Sequence, residues 1–249
     1  MRQRPPVVLL CGGLGLRLRS ESEERPKPLR PLPDGRALLL HIIDYYRTFG
    51  VEEFILCLGY GADEIKKVVL DAFAVPVVAD ATREKSPRLV FVESEADAPK
   101  SVRLLEARPH IGDRHFLLGY ADVLSDLDLD RLLRTHLSSD AMVTLAATRV
   151  HSRFGQLTIG PRGAVTRFEE KPLLPGHVSA GYFVCAPDFL DRVGTRDDLE
   201  RDTIVLLASA GEVSAVEHDG LWLPFDTYKD FSEAEEFISR KGYPWLMAA

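Results

Sequence analysis

With 249 residues, 45% of them apolar and 28% charged, the chain has the length and composition of one large α/β domain or two small ones, with ample apolar material for a core. A formal net charge of −7 disfavours general attraction to nucleic acid or to an anionic membrane surface, so an anionic ligand has to be held by a local cluster of cations. Cys11, Cys57 and Cys185 lack C-x-x-C spacing, which argues against a disulfide framework or a zinc site and fits a reducing cytoplasm; the apolar run after MRQRPP is too short for a signal or membrane-spanning segment.

The chain begins with a buried-strand pattern, VVLL at 7–10, and then CGGLGLRLR at 11–19. Next come an amphipathic helix over 37–50 ending at Gly50, a nearly all-apolar strand over 54–60, a helix over 62–73, a strand over 88–93, a helix over 99–110 and a strand over 115–120. Strand and helix in alternation predict a mostly parallel sheet with helices on both faces. A helix over 127–140 follows, and then shorter β-like pieces at 141–150, 156–160, 164–170 and 178–185, with PRG at 161–163 as a hairpin turn. Helical patterns return at 187–193 and 201–210, strands at 212–218 and 221–225, and a last helix at 227–241. Without an internal repeat or a low-complexity linker, the chain reads as one Rossmann-like domain with an antiparallel extension. Its expected parts are a nucleotide-binding core over 7–140, a sugar-phosphate portion over 141–226 and a C-terminal helix over 227–241.

Five stretches carry chemistry. Gly12, Gly13 and Gly15 let backbone N–H groups approach a ligand, with Arg17 and Arg19 just beyond. The loop fails the dinucleotide fingerprint at Leu18 and lacks the Gly-Lys-Ser/Thr of a P-loop, so it is either a phosphate-binding nest or a bare turn. Lys27, between Pro26 and Pro28, sits on stiffened backbone, either as a solvated lysine or as a cation placed for a charged transition state. Asp122 falls just beyond a strand's C-terminal end, where open α/β sheets bind ligands, and is a candidate Mg2+ carboxylate. Asp126, Asp128 and Asp130 suit a helix start. Asp226 reads as a helix cap with Thr227 or as a second carboxylate, the cap being favoured on its own residues. Glu170 and Lys171, in FEEKP, form either a surface ion-pair turn or a grip on a small polar substrate, and Gly181 lies inside a strand pattern.

Read in order, CGGLGLRLR, RPKP, FILCLGY, YADVLSDLDL, SRFGQL, FEEKP, AGYFV and WLPFDT resemble the sugar-1-phosphate nucleotidyltransferases, and among them the glucose-1-phosphate cytidylyltransferase group. The resemblance runs from residue 7 to about residue 240. It implies a single α/β domain with a mixed, mostly parallel sheet. It also implies a reaction in which a sugar 1-phosphate oxygen attacks the α-phosphorus of a nucleoside triphosphate, CTP in that group, and pyrophosphate leaves. By position, Cys11, Gly12, Gly13, Gly15, Leu16 and Arg17 are implied to hold the triphosphate, with Lys100 and Ser101 beside the nucleotide. Lys27, Arg17 and Arg103 are implied to act on the phosphates, Asp122 and Asp226 to hold Mg2+, and Glu170, Lys171, Ser179 and Gly181 to bind the sugar phosphate.

The chain departs from the pattern at informative places. Leu16 stands where the family has a threonine, Lys100-Ser101-Val102-Arg103 replaces T-G-G-R, Ala121-Asp122-Val123 replaces G-D-G, and Ser179-Ala180 replaces an asparagine and a glycine. These changes leave three readings open: an active enzyme on a sugar-like phosphate, the same chemistry with GTP, dTTP or UTP or a cyclitol or phosphonate acceptor, and a catalytically reduced nucleotide-binding regulator. Whether the chain works as a monomer or a homo-oligomer also stays open. Because the threonine hydroxyl can donate to a phosphate oxygen, Leu16→Thr is expected to tighten triphosphate binding in calorimetry; an unchanged affinity would remove residue 16 from the phosphate contacts.

Overall fold

The structure, a computed structural model, describes residues 4–13, 25–74 and 86–248. Its elements in chain order are β1 (Val7–Leu10), α1 (Leu38–Thr48), β2 (Glu53–Leu58), α2 (Ala62–Ala74), β3 (Arg88–Glu93), α3 (Lys100–Glu106), α4 (Arg108–Ile111), β4 (Phe116–Tyr120), β5 (Val123–Ser125), α5 (Leu129–Leu137), β6 (Val143–Thr148), β7 (Gln156–Ile159), β8 (Val165–Glu169), β9 (Val178–Cys185), α6 (Val205–Ser209), β10 (Val213–His218), β11 (Trp222–Pro224) and α7 (Tyr228–Lys241). A seven-stranded sheet has the order β10-β6-β9-β4-β1-β2-β3, in which β9 alone runs against the others. β5 pairs with β11, and β7 with β8, as separate antiparallel ribbons.

The sheet is covered on both faces, as the apolar runs predict. Along β1, Val7, Leu9 and Cys11 enter one core and Val8 and Leu10 the other, following the two-residue period of a strand. The first core is closed by α1, whose residues Leu38 to Tyr46 are all buried, and the second by α3 together with Phe189, Leu190 and Leu207. A helix apolar on every side is stable only when covered on every side, and here the Tyr45 hydroxyl donates to the Leu127 carbonyl at 2.8 Å while Asp44 pairs with Arg36 at 2.6 Å. Gly50, with φ of 76°, carries the chain out of α1 in the left-handed conformation that glycine adopts without a Cβ penalty.

Three segments differ from their sequence patterns. The 99–110 pattern divides into α3 and α4, because Pro109 opens a new helix rather than continuing one. Pro187–Arg192 forms a 3-10 helix instead of an α-helix. Leu199–Ile204 is a π-helix that precedes α6; the Asp198 side chain accepts from the Glu200 and Arg201 amides at its start.

Two packing details have measurable consequences. Gly61, with φ of 71°, lies so close to Pro26 that a Cβ there would stand 2.1 Å from the proline Cγ. This contact seats the single 3-10 turn Lys27–Leu29 against the start of α2. Gly61→Ala is expected to lose about 1–3 kcal/mol of stability through overpacking and backbone strain, read from urea unfolding. Under the sheet, the His136 Nε2 lies 3.1 Å from the His115 Nδ1 and its Nδ1 3.0 Å or less from a hydroxyl, at 2.9 Å from the Thr144 Oγ1. Burial, and then the neighbouring His115, lower its pKa from 6.5 to about 4. The unfolded chain therefore binds more protons between those values, and His136 contributes stability that is complete above pH 6.5 and declines as pH falls toward 4. His136→Gln is expected to flatten the pH dependence of the urea midpoint across that window.

Candidate active site

The C-terminal ends of β1 and β4 lie side by side, because the two strands pair in parallel in the middle of the sheet. Beyond β1 the chain gives Cys11, Gly12 and Gly13; beyond β4 it gives Ala121 and Asp122. The crevice outside the carboxyl ends of such strands is where α/β sheets accept ligands. A cavity of about 1370 Å³ opens there, room for a nucleotide and a second substrate together.

Asp122 and Asp226 meet through backbone pairing. Val123 faces Pro224 in the β5–β11 ribbon, and the Phe225 amide donates to the Asp122 carbonyl at 3.0 Å. The Asp226 carboxylate is not spent on the following helix: Thr227 caps α7, accepting from the Asp230 amide, while the Asp230 side chain accepts from the Thr227 amide. The preference for Asp226 as a cap is thereby corrected, since a complete capping box exists without it. Lys27, from the proline-bounded turn, donates to Asp122 Oδ2 at 2.8 Å and to Asp226 Oδ1 at 2.9 Å. Its side chain is 12% exposed while the two carboxylates are 39% and 43% exposed, so the ammonium is inside and the acids face the cavity.

The two aspartates also suit a divalent ion. The described residues hold no group of three or more His, Cys, Asp and Glu placed for a metal, so a protein-only cage is absent among them. Mg2+ requires none: one or two carboxylates, water and substrate phosphates complete its shell. The cation already drawn between Asp122 and Asp226 is an ammonium, which shows that their joint field favours positive charge at that point.

Arg103 is 4% exposed and lies against the backbone of the opening loop. A Cβ at Gly12 would stand 2.2 Å from its Nη1 and 2.8 Å from the Gly59 nitrogen, and one at Gly59 would stand 2.7 Å from its Nη2 and 2.9 Å from the Gly12 carbonyl oxygen, so guanidinium and backbone together leave no room for a side chain at either position. Arg103 donates to the Ala96 carbonyl at 2.9 Å and borders the cavity, although its Nε is buried without a partner among the described residues. Cys11 borders the cavity too; its amide extends the sheet by donating to the Cys57 carbonyl at 2.9 Å, and burial pushes its thiol pKa up, leaving the sulfur inert. Gly13 is exposed at the cavity edge, and Gly15, Leu16 and Arg17 lie outside the described residues.

Of the pair expected beside the nucleotide, only Lys100 reaches the cavity. Its ammonium lies 5.1 Å from the centre of the Tyr120 ring and pairs with Glu200, which also accepts from the Tyr120 hydroxyl. Ser101 is fully buried and donates to the Asp197 carbonyl at 2.8 Å, which makes it a tie between α3 and the segment before the π-helix. Sequence reasoning missed Glu200; the one signal was an acid following the Asp-Leu start of a helical pattern, which no spacing connected to Lys100.

On the other side of the cavity stand Lys171, Ser179 and Gly181, together with Arg149, His151, Arg153 and Trp222. Gly181 has φ of 83°, and a Cβ there would meet Tyr120 and Val123 at 3.1 and 3.2 Å, so the strand turns tightly under the site. Trp222 donates from Nε1 to the Ala180 carbonyl at 3.0 Å, fixing the same strand to β11. Glu170 is exposed and is not part of the cavity wall. The basic residues after β6 were passed over because RVHSRF carries no periodic signal of its own.

The family model described as nucleotidyl transferase matches residues 6–241. The chain is 32% identical to a probable glucose-1-phosphate cytidylyltransferase of Bacillus subtilis over 96% of its length and 98% of the relative's, and 32% identical to a glucose-1-phosphate cytidylyltransferase of Salmonella typhi with the same coverage. Its fold is shared with HddC from Yersinia pseudotuberculosis complexed with GMP-PN, at a TM-score of 0.70 and 21% identity, covering 94% of this chain and 100% of that one. A lysine held between two strand-end carboxylates at the mouth of a large α/β cavity agrees with these likenesses, and the chain belongs to the nucleotidyl transferase family of enzymes.

Proposed function

We propose that the chain catalyses Mg2+-dependent transfer of a nucleotidyl group from a nucleoside triphosphate, CTP in preference, to a sugar or sugar-like 1-phosphate. The observation that carries this reading is the convergence of Lys27, Asp122 and Asp226 within 2.9 Å contacts at the cavity mouth. The preference for CTP rests on the two cytidylyltransferase relatives at 32% identity.

An oxygen of the acceptor phosphate attacks the α-phosphorus and forms the new P–O bond as the bond from that phosphorus to the bridging oxygen of the β-phosphate breaks. The electron pair leaves on pyrophosphate, and no protein nucleophile is needed. Asp122 and Asp226 would hold Mg2+, which when bound would neutralise phosphate charge and favour in-line geometry. Lys27, whose ammonium stands beside both carboxylates at the cavity, is the cation placed to stabilise the negative charge that builds on the α-phosphate in the transition state. Arg103 stands behind the opening loop as a buried positive charge, and Lys171 faces the acceptor side. Arg17 completes the triphosphate grip in this reading.

The test is a pyrophosphate-release matrix of CTP, UTP, dTTP, GTP and ATP against a panel of sugar and cyclitol 1-phosphates, with and without Mg2+. Turnover is expected with CTP and a hexose 1-phosphate, and only with the divalent ion. Lys27→Ala and Asp122→Asn are each expected to lower kcat by about 100-fold or more while the unfolding midpoint persists, as for loss of a charge-stabilising group. No turnover in any pair, or near-normal turnover in either variant, overturns the assignment.

A further inference from the structure

Lys171 adopts φ of 47°, one of two non-glycine residues among those described with positive φ. A side chain is disfavoured there by the clash of Cβ with the following carbonyl, and the residue precedes Pro172, which adds its own restriction on the backbone. Such a conformation persists only where its surroundings over-determine it, and it is concentrated at functional sites.

Three contacts from the segment after β6 hold it. The Ser152 amide donates to the Pro172 carbonyl at 2.8 Å, the Leu174 amide donates to the Val150 carbonyl at 2.9 Å, and the His151 Nδ1 lies 2.9 Å from the Lys171 carbonyl oxygen. The carbonyl can only accept, so the His151 Nδ1 carries the proton, and this bond ties a side chain directly to the strained peptide. His151 and Lys171 both border the cavity, on the side of Ser179 and Gly181, and His151 bridges Leu173 in antiparallel fashion.

From this we infer that His151 is a positioning residue: its Nδ1–H holds the Lys171 peptide in the left-handed turn that presents the Lys171 ammonium to the phosphate of the acceptor. The inference rests on the nucleotidyl-transfer reading and deepens it, because it adds His151 as the residue that positions the lysine expected on the sugar phosphate.

The experiment is steady-state pyrophosphate release with the best substrate pair, using His151→Ala, His151→Asn, Lys171→Ala and the double variant His151→Ala/Lys171→Ala. His151→Ala is expected to raise KM for the acceptor about tenfold, the scale of one lost hydrogen bond, with KM for the triphosphate and the unfolding midpoint unchanged. Asparagine places an N–H donor near the position of Nδ1, so His151→Asn is expected to recover most of the loss. In the Lys171→Ala background, His151→Ala is expected to add nothing, because the two residues act as one unit. An unchanged acceptor KM in His151→Ala, an equal rise in triphosphate KM, or a full additive loss in the double variant overturns the inference while leaving the transfer reading intact. Absence of turnover in the wild-type chain overturns the transfer reading and the inference with it.

Discussion

The site depends on one ammonium held between two carboxylates. Lys27 lies 95 residues from Asp122 and 199 from Asp226, and it satisfies both at hydrogen-bond distance. Two like charges brought together in a half-buried position repel each other unless a cation stands between them, so the lysine stabilises the arrangement before any substrate arrives. The same geometry leaves the carboxylates turned to the cavity with a preference for positive charge. Isolated surface ion pairs contribute little; this one matters because a proline-bounded turn and a strand pairing keep all three groups in place.

That geometry constrains a large part of the fold. The β5–β11 ribbon is only three residues long, yet a slip of one residue would turn Asp226 away from Asp122. The ribbon is held by α7, whose Phe231 packs on Phe225 at 4.8 Å between ring centres, and by Trp222 reaching across to β9. On the lysine side, Gly61 admits Pro26 at a distance no side chain would permit. Gly12 and Gly59 do the same for Arg103, so glycines around this crevice are explained by the bulk of a neighbouring residue as much as by a ligand.

The two sides of the cavity are built differently. Toward the opening loop, Lys100, Glu200 and Tyr120 form a closed polar cluster, and the π-helix is the local irregularity that brings Glu200 to it. On the opposite side, β6 and β9 extend the central sheet, and the chain between them supplies a strained turn clamped by the residues after β6. The cavity wall thus draws on helix starts, strands and the segments beyond strand ends, all placed by the central sheet.

By itself the sequence determined the alternating order of strands and helices, the burial of β1 and β2, the glycine exit of α1 and the place of Asp122 just beyond a strand end. These follow from apolar periodicity and from backbone preferences, which are local. The ordered motifs also carried the family, and with it the expectation that Asp122 and Asp226 act together, whereas the contact of Lys27 with both carboxylates came only from the folded chain. Only the tertiary structure decided that Asp226 is released from capping duty, since the capping box depends on Asp230 folding back on Thr227. It alone separated Lys100 from Ser101, adjacent residues of which one faces the cavity and the other is buried against Asp197. Glu200 and His151 were hidden for the same physical reason: each acts on a partner distant in sequence, Lys100 in one case and Lys171 in the other, and no local pattern records a contact that only the folded chain creates.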